Sequence, residues 1–350
     1  MILDTGSGVW LFWKYGQECG WKTGILKTAY SFKNIFVGFE ANIQSDRWLS
    51  AKNISRSFVK YLDSTDSSGA VWQHKPFNSQ ITLSVVIPTV DAYRDGYFPK
   101  LLEQIDGQDF AGFEILVVKG DPRQGRAINI AAALSKGKYL LILDDDTSLP
   151  DKQTFSKLVS IMEANPNIGV AGGNNVISNR CNKIARLVMK QVPRRSWTPV
   201  AKITVSDLAE HPCMIMRTED FKRVGGENEL IPRGLDPYLR EAFRKINKQV
   251  VVVPGVIYHH LPPDNLRKLF RQFFRNGFQA FITNRLYPQW VLETPHHHGA
   301  FKIHKNKFRR RLRVLVTLLE SLVTIKPLWF YCEMAYASGY VWAMLSKKAS

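Results

Sequence analysis

At 350 residues, with 45% hydrophobic and 22% charged side chains, the chain can bury a substantial core and reads as one large globular domain or one domain plus an appendage. Its 48 Lys and Arg against 30 Asp and Glu give a net charge of +18, which implies an anionic partner: nucleic acid, phospholipid or a phosphorylated ligand. Cys19, Cys181, Cys213 and Cys332 form no CxxC pair, which argues against a zinc site and a disulfide framework and fits a reducing compartment.

The first 80 residues hold five of the nine Trp (Trp10, Trp13, Trp21, Trp48, Trp72) without a clear chemical motif, and the polar stretch from Asp63 to Gly69 reads as a linker. No basic segment followed by an apolar run and a small-residue cleavage site opens the chain, so no signal peptide is expected. From Ile81 the pattern changes. ITLSVVIP is an apolar, β-branched run stopped by Pro88 and predicts a buried strand; FPKLLEQI around Leu101 has helical spacing. FEILVV from Phe113 predicts a second strand, GRAINIAAALSKG from Gly125 a helix ended by Gly137, and KYLLIL from Lys138 a third strand. A helix between Asp151 and Ala164 and a short strand at Ile168 follow. Alternation at this spacing implies a parallel sheet covered by helices on both faces, with ligands beyond the carboxyl ends of the strands.

Leu143, the last residue of the third run, is followed at once by Asp144, Asp145, Asp146 and Thr147. Adjacent carboxylates repel by about 1 kcal/mol per pair in water and more in a drier cleft; a divalent cation relieves this, and hard oxygen ligands favour Mg²⁺ or Mn²⁺. In an extended segment positions i and i+2 point the same way, so Asp144 and Asp146 can face one ion; the alternative is a solvated turn with Asp146 capping the next helix. Taken together and in order, SVVIPT, FEILVV, the helix containing RAINIA and KGKYLLILDDDT resemble the opening half of the family 2 glycosyltransferases, inverting enzymes with the GT-A fold. The resemblance implies an α/β fold, a Rossmann-like mixed sheet flanked by helices. It places Thr89 near the nucleotide base, has Arg126 and Asn129 line the donor site, sets Asp144 and Asp145 against the nucleotide sugar, and assigns the metal to Asp144 and Asp146. Where the family has an acidic pair after the second strand this chain has Lys119, Gly120 and Asp121, so Asp121 takes the base-recognising role one position late or Lys119 marks a different nucleotide.

CMIMRTEDFKRVGG from Cys213 resembles the strand and helix through which these enzymes form the acceptor site. RGLDPYL is similar to the family's RGEDPxL segment, which puts Asp236 on the general base and Leu235 where the family has glutamate; capping of the helix PYLREAFRK is the other role open to Asp236. After the run VVVVP, GVIYHH is similar to the family's YHH-like element and gives His259 as third metal ligand, with His260 in reserve. His296, His297 and His298 look like a solvated loop. In the basic, amphipathic LRKLFRQFFRNG, Gln272 and Arg275 match the QxxR part of the family's QxxRW motif, with Asn276 in place of Trp, and suit the leaving diphosphate; a basic helix over the cleft or on lipid is the even alternative.

Seven basic residues and no acid lie between Lys302 and Arg313, beside the apolar stretches Val314 to Ile325 and Pro327 to Leu345. Interrupted by Glu320 and Glu333, these stretches suit helices lying on or dipping into a bilayer better than helices crossing it, with packed core helices as the alternative. The expected organisation is thus an extension of unknown role over residues 1–80, a glycosyltransferase domain over 81–285, and a basic segment with apolar, membrane-associated helices over 286–350. The expected partners are a UDP-, GDP- or dTDP-sugar donor, a glycan or lipid-linked acceptor and the cytoplasmic face of a membrane. Nucleic acid is not expected, because the acidic triplet would repel a phosphate backbone; a retained fold without activity and a basic membrane- or nucleic-acid-binding protein are the competing readings. A nucleotidyltransferase reading is poor, since the segment after the first strand offers only Arg94 and Gly96 to a phosphate.

Overall fold

The computed structural model describes residues 58–62, 69–74, 80–121, 123–231, 234–287, 292–293, 298–300, 302–303 and 307–346. In chain order the strands and helices are β1 (Phe58–Leu62), β2 (Gly69–His74), β3 (Leu83–Thr89), α1 (Tyr97–Asp106), β4 (Phe113–Gly120), α2 (Gln124–Leu134), β5 (Tyr139–Ile142), β6 (Thr147–Ser148), α3 (Thr154–Ala164) and β7 (Ile168–Asn175). They continue as α4 (Lys183–Gln191), β8 (Thr204–Val205), β9 (Met214–Arg217), α5 (Thr218–Arg223), α6 (Leu235–Lys245), β10 (Gln249–His260), α7 (Leu266–Leu286), β11 (Leu292–Glu293), β12 (Lys302–Ile303), α8 (Lys307–Val323) and α9 (Pro327–Leu345).

The period-two geometry of a strand sends alternate side chains to opposite faces, and β3, β4 and β5 use both. Val85, Ile115 and Leu141 meet Phe98, Leu101 and Ile105 of α1 and Phe155 and Leu158 of α3 on one face. Val86, Leu116 and Leu140 meet Ala127, Ile128 and Ala131 of α2 on the other. Covered on both sides, these strands are apolar on both faces through Val85–Ile87, Ile115–Val118 and Tyr139–Ile142, and the buried polar pair at their start, Ser84 and Glu114, is satisfied by its own hydrogen bond at 2.7 Å.

The main sheet runs β1-β2-β4-β3-β5-β9-β7-β10-β6, with β8 paired to β10. Neighbours β4, β3 and β5 are parallel, as are β7 and β10. Between these two groups β9 is antiparallel to both β5 and β7, so the sheet is mixed rather than parallel throughout. The cause lies in the connection: after β7 the chain passes α4, runs along the amino-terminal half of β10 as β8, returns, and enters β9 at Met214 beside Ile142, the carboxyl end of β5, so that β9 runs back. Beyond β4, β2 and β1 add two antiparallel strands, so part of the N-terminal 80 residues extends the sheet.

The apolar C-terminal helix α9 packs against α7 and α4, with Trp329, Cys332 and Ala335 buried on Val188, Leu269 and Phe273. The helices touch backbone to backbone: a Cβ on Gly277 would lie 1.9 Å from the Tyr336 carbonyl oxygen, and one on Gly339 the same distance from that of Phe274. Helix α8 leaves Leu315, Val316, Leu319, Leu322 and Val323 exposed. Among the described residues no helix is long and apolar enough to cross a membrane.

Candidate active site

The carboxyl ends of β3, β4, β5, β7 and β10 open into a cavity of about 1110 Å³. Of the residues expected at a site, Thr89, Asp121, Asp144, Asp145, Asp146, Asp236, Gln272 and Arg275 line it, and so does His260. The chain thus brings groups up to 186 positions apart (Thr89 and Arg275) to one edge, as open α/β sheets do with their ligands.

The acidic triplet turns sharply after β5, and its three side chains find three different partners. Asp144 accepts a hydrogen bond from the Gln124 amide at 2.9 Å. Asp145 accepts one from the Thr89 hydroxyl at 2.6 Å, which locks the end of β3 to the end of β5. Asp146 is the most heavily charge-paired, lying 3.1 Å from Nε2 of His260 and 2.9 Å from a guanidinium nitrogen of Arg94. Burial would raise the Asp146 carboxyl, but His260 and Arg94 outweigh it and hold the group well below the usual carboxylate range. Its neighbours lack that much compensation. Burial pushes Asp144 up to about 6, against the pull of His260, and burial together with Asp146 pushes Asp145 up to about 7. One oxygen each of Asp144 and Asp146 and one ring nitrogen of His260 lie within 4.8 Å of one another. Two carboxylates and an imidazole at this separation fit one Mn²⁺ or Mg²⁺, with carboxylate oxygens as the main donors.

The third position of this cluster moves from His259 to His260. Successive residues of a strand face opposite ways. On β10, His259 turns Nδ1 to the Val176 carbonyl oxygen at 2.6 Å, while His260 faces the carboxylates. Among the described residues of the triplet, His298 bonds the Ser206 hydroxyl at 2.9 Å and takes no part in the site; His296 and His297 lie outside the described residues.

Asp236 stands at the first turn of α6 and points into the cavity. Its Oδ1 accepts the peptide N–H of His211 at 2.9 Å and lies 3.1 Å from the ring nitrogen Nδ1 of the same residue. The other ring nitrogen of His211 is 2.7 Å from Glu227, itself buried. A buried imidazole between two carboxylates holds its proton: burial alone would lower the His211 pKa, yet Asp236 and then Glu227 push it up to about 10. In return, the His211 charge and that of Arg240 outweigh the burial of Asp236 and lower its pKa, so that its carboxylate stays charged at neutral pH.

Two expected donor-site residues do not reach the cavity. Arg126 is turned aside by Asp121, whose Oδ2 takes its Nε–H at 2.7 Å, so the buried pair fixes the turn after β4 and only Asp121 faces the cavity. Asn129 donates to the Glu227 carbonyl oxygen at 3.0 Å and to the Glu229 carboxylate at 2.9 Å, and accepts from the Glu227 N–H at 2.8 Å. Its amide thereby holds the loop that carries Glu227. Lys119 is buried at the end of β4, away from the cavity lining. Arg94, His211 and Gln124 enter the site although none of them belongs to a motif read from the sequence. Only Arg94 had a cue, as the lone cation just after β3.

A family model, "Glycosyl transferase family 2", matches residues 118–225. That segment runs from the end of β4 through the acidic triplet to the turn after α5, and the resemblance read from the sequence is borne out there. A curated "Uncharacterized glycosyltransferase" of Haemophilus influenzae is 24% identical over 180 residues, covering 45% of this chain; the chain spans 59% of that relative's length. Among solved structures, a mannosyltransferase from Pyrobaculum calidifontis in complex with GDP-Man and Mn²⁺ aligns over 87% of this chain and 93% of its own, at 13% identity and a TM-score of 0.47. S. aureus TarS in complex with UDP aligns over 74% of this chain and 89% of its own, at 14% identity and a TM-score of 0.40.

Proposed function

We propose that this chain is an inverting, metal-dependent glycosyltransferase that moves a sugar from a nucleoside diphosphate sugar to a hydroxyl acceptor at a membrane surface. The observation that carries the reading is the joint placement, in one cavity, of the Asp144–Asp146–His260 cluster and the charged carboxylate of Asp236, with Asp144 and Asp146 inside the segment that matches the family 2 model. Asp144, Asp146 and His260 hold Mn²⁺ or Mg²⁺, which when bound supplies positive charge to the diphosphate of the donor. Thr89 and Asp121, at the ends of β3 and β4, form the wall for the base and ribose. Asp236 takes the proton of the acceptor hydroxyl as its oxygen bonds to the anomeric carbon and the bond to the diphosphate breaks, a role worth about 10²- to 10⁴-fold. His211 keeps Asp236 ionised for that step. Arg94, Gln272 and Arg275 reach the cavity from other sides, and their donors face the charge that grows on the departing diphosphate. No side chain is required as a covalent nucleophile, which agrees with single displacement and inversion.

Calorimetry tests the donor half of this reading, with UDP, GDP and dTDP titrated in Mn²⁺ and then in EDTA. One nucleotide is expected to bind only with metal, and Asp146→Ala to lose that binding. Failure of all three to bind under any condition refutes the reading.

The membrane part rests on α8. Its first residues carry Lys307, Arg309, Arg310, Arg311 and Arg313, and its later turns expose Leu315, Leu319, Leu322 and Val323. Except for Leu312, the side chains of Lys302 to Val314 lie outside the described residues. A basic start followed by an exposed apolar face matches the anionic cytoplasmic leaflet, each Lys or Arg near the surface contributing about 1 kcal/mol. Co-sedimentation with phosphatidylserine vesicles that is lost in high salt and absent with phosphatidylcholine is the expected outcome.

A further inference from the structure

The cavity has two unlike ends. One is the charged centre under β5 and β10. The other is walled by Val192, Phe273, Trp329, Leu312 and Val316, with Glu320 and Glu333 on two of the same helices, α8 and α9, and leads towards the exposed apolar face of α8. A row of apolar side chains from Phe273 to Val316 suits an apolar part of the acceptor.

At the junction stand two consecutive arginines that the mechanism above leaves unused. Arg194, in a left-handed backbone conformation with φ of 64°, turns to an ion pair with Glu210. Arg195 turns the other way. Its guanidinium lies 5.3 Å from the centre of the Phe273 ring, lines the cavity, and makes no hydrogen bond or ion pair with another described residue. The backbone under it is fixed: the Asn175 side chain donates to the Arg195 carbonyl oxygen at 2.8 Å and accepts the His260 N–H at 3.1 Å, tying this arginine to the strand end that carries the metal cluster. The Ser196 hydroxyl adds a bond to the Met189 carbonyl oxygen at 2.8 Å. Burial lowers the Arg195 pKa, with Cys332 and Glu210 opposing it only through space, so the cation is held in a site that disfavours it without a counter-ion. A planar guanidinium, stacked on one face and open at its edge, is suited to two parallel hydrogen bonds to a phosphate or carboxylate.

Resting on the transferase reading, we propose that Arg195 is the head-group site for the acceptor, and that the acceptor is a phosphate carried on an apolar chain: the phosphate bonds Arg195 beside the charged centre, and the chain runs along Phe273, Trp329 and Val316 towards α8 and the lipid. The P–OH of that phosphate is then the acceptor hydroxyl: its oxygen forms the bond to the anomeric carbon as Asp236 takes its proton, while the bond from that carbon to the donor's diphosphate breaks and the nucleoside diphosphate leaves with the electron pair.

The test uses the full chain, with Arg195→Gln and Arg195→Lys, and four probes: farnesyl phosphate, farnesol, inorganic phosphate, and the nucleoside diphosphate with Mn²⁺. The wild type is expected to bind farnesyl phosphate about tenfold or more tighter than either farnesol or inorganic phosphate, as charge-assisted bonds and apolar contact together require. Arg195→Gln is expected to lose the advantage over farnesol and Arg195→Lys to keep part of it, both with unchanged thermal unfolding and nucleotide binding. Equal affinity for farnesyl phosphate and farnesol, or a preference that survives Arg195→Gln, overturns the head-group site. Inorganic phosphate binding as tightly as farnesyl phosphate overturns the apolar part, and loss of nucleotide binding in Arg195→Gln reassigns the arginine to the donor. If the wild type binds no nucleotide at all, the transferase reading falls and takes this assignment with it.

Discussion

Replacing His211 by Gln removes a charge from beside the proposed base while keeping a side chain of similar reach. The ring nitrogen and the Asp236 oxygen are 3.1 Å apart, a separation at which unit charges interact by about 5 kcal/mol at an effective dielectric constant of ~20. Part of that is cancelled by the burial of Asp236, and the peptide N–H of residue 211, 2.9 Å from the same oxygen, survives the substitution. Opposite charges at this range move a carboxyl by about one to three pH units, so the Asp236 pKa is expected to rise by that amount. With Asp236 as base, the acid limb of kcat/KM rises equally, and transfer on the acid side falls by about ten- to a thousandfold. The assay is sugar transfer across the pH range where the wild type is folded, with metal-dependent nucleotide binding as control. An acid limb at the same pH in wild type and variant refutes the coupling of His211 to Asp236. Stability follows the same charge with its own sign. The His211 pKa is raised from 6.5 to about 10, so its contribution is fully present below pH 6.5 and is lost as pH rises through about 10. Urea unfolding is expected to show that decline in the wild type and not in His211→Gln.

Arg94→Ala removes the protein's own cation from Asp145 and Asp146 and is expected to tighten Mn²⁺ binding without nucleotide; the gain is about two- to fivefold, because the guanidinium is 44% exposed and screened. Weaker metal binding in that variant contradicts competition. Gly339→Val drives side-chain atoms into the Phe274 carbonyl, so a loss of about 1–3 kcal/mol is expected on thermal unfolding, whereas an unchanged melting temperature contradicts the tight α7–α9 crossing.

What the sequence disclosed about the fold depended on whether neighbouring residues carried it. The runs ending at Pro88, Val118 and Leu143 are apolar because both faces of β3, β4 and β5 are covered, and that requirement is written in consecutive positions. The reversed direction of β9 is not. CMIMR reads as a buried strand whichever way it points, and its direction is set by where the chain, after running along β10 as β8, re-enters the sheet, at the carboxyl end of β5. The place of α9 was equally hidden. Its apolar sequence suits lipid and protein alike, and only the glycines at 277 and 339, far apart in the chain, show that it packs on α7.

The site divides along the same line. Groups set by a sharp local event, a triplet of aspartates at a strand end or an aspartate opening a helix, could be placed from a few residues of sequence. Choosing between His259 and His260 required the phase of a strand, since a shift by one residue exchanges the two faces, and β10 contains irregular pairing between Val252 and Ile257 that resets this phase. The counter-charges were harder still. Arg94, His211 and Arg126 act on carboxylates 52, 25 and 5 positions away, and a cation's role depends on which acid the folded chain brings to it. Arg126 shows the consequence: a basic residue in the expected helix and at the expected spacing is spent on Asp121, five positions back, while Arg94, with no motif around it, lies on the acidic centre. Buried charges are settled pairwise by proximity in space, so a reading of single positions finds the acids that chemistry needs and misses the bases that keep them charged.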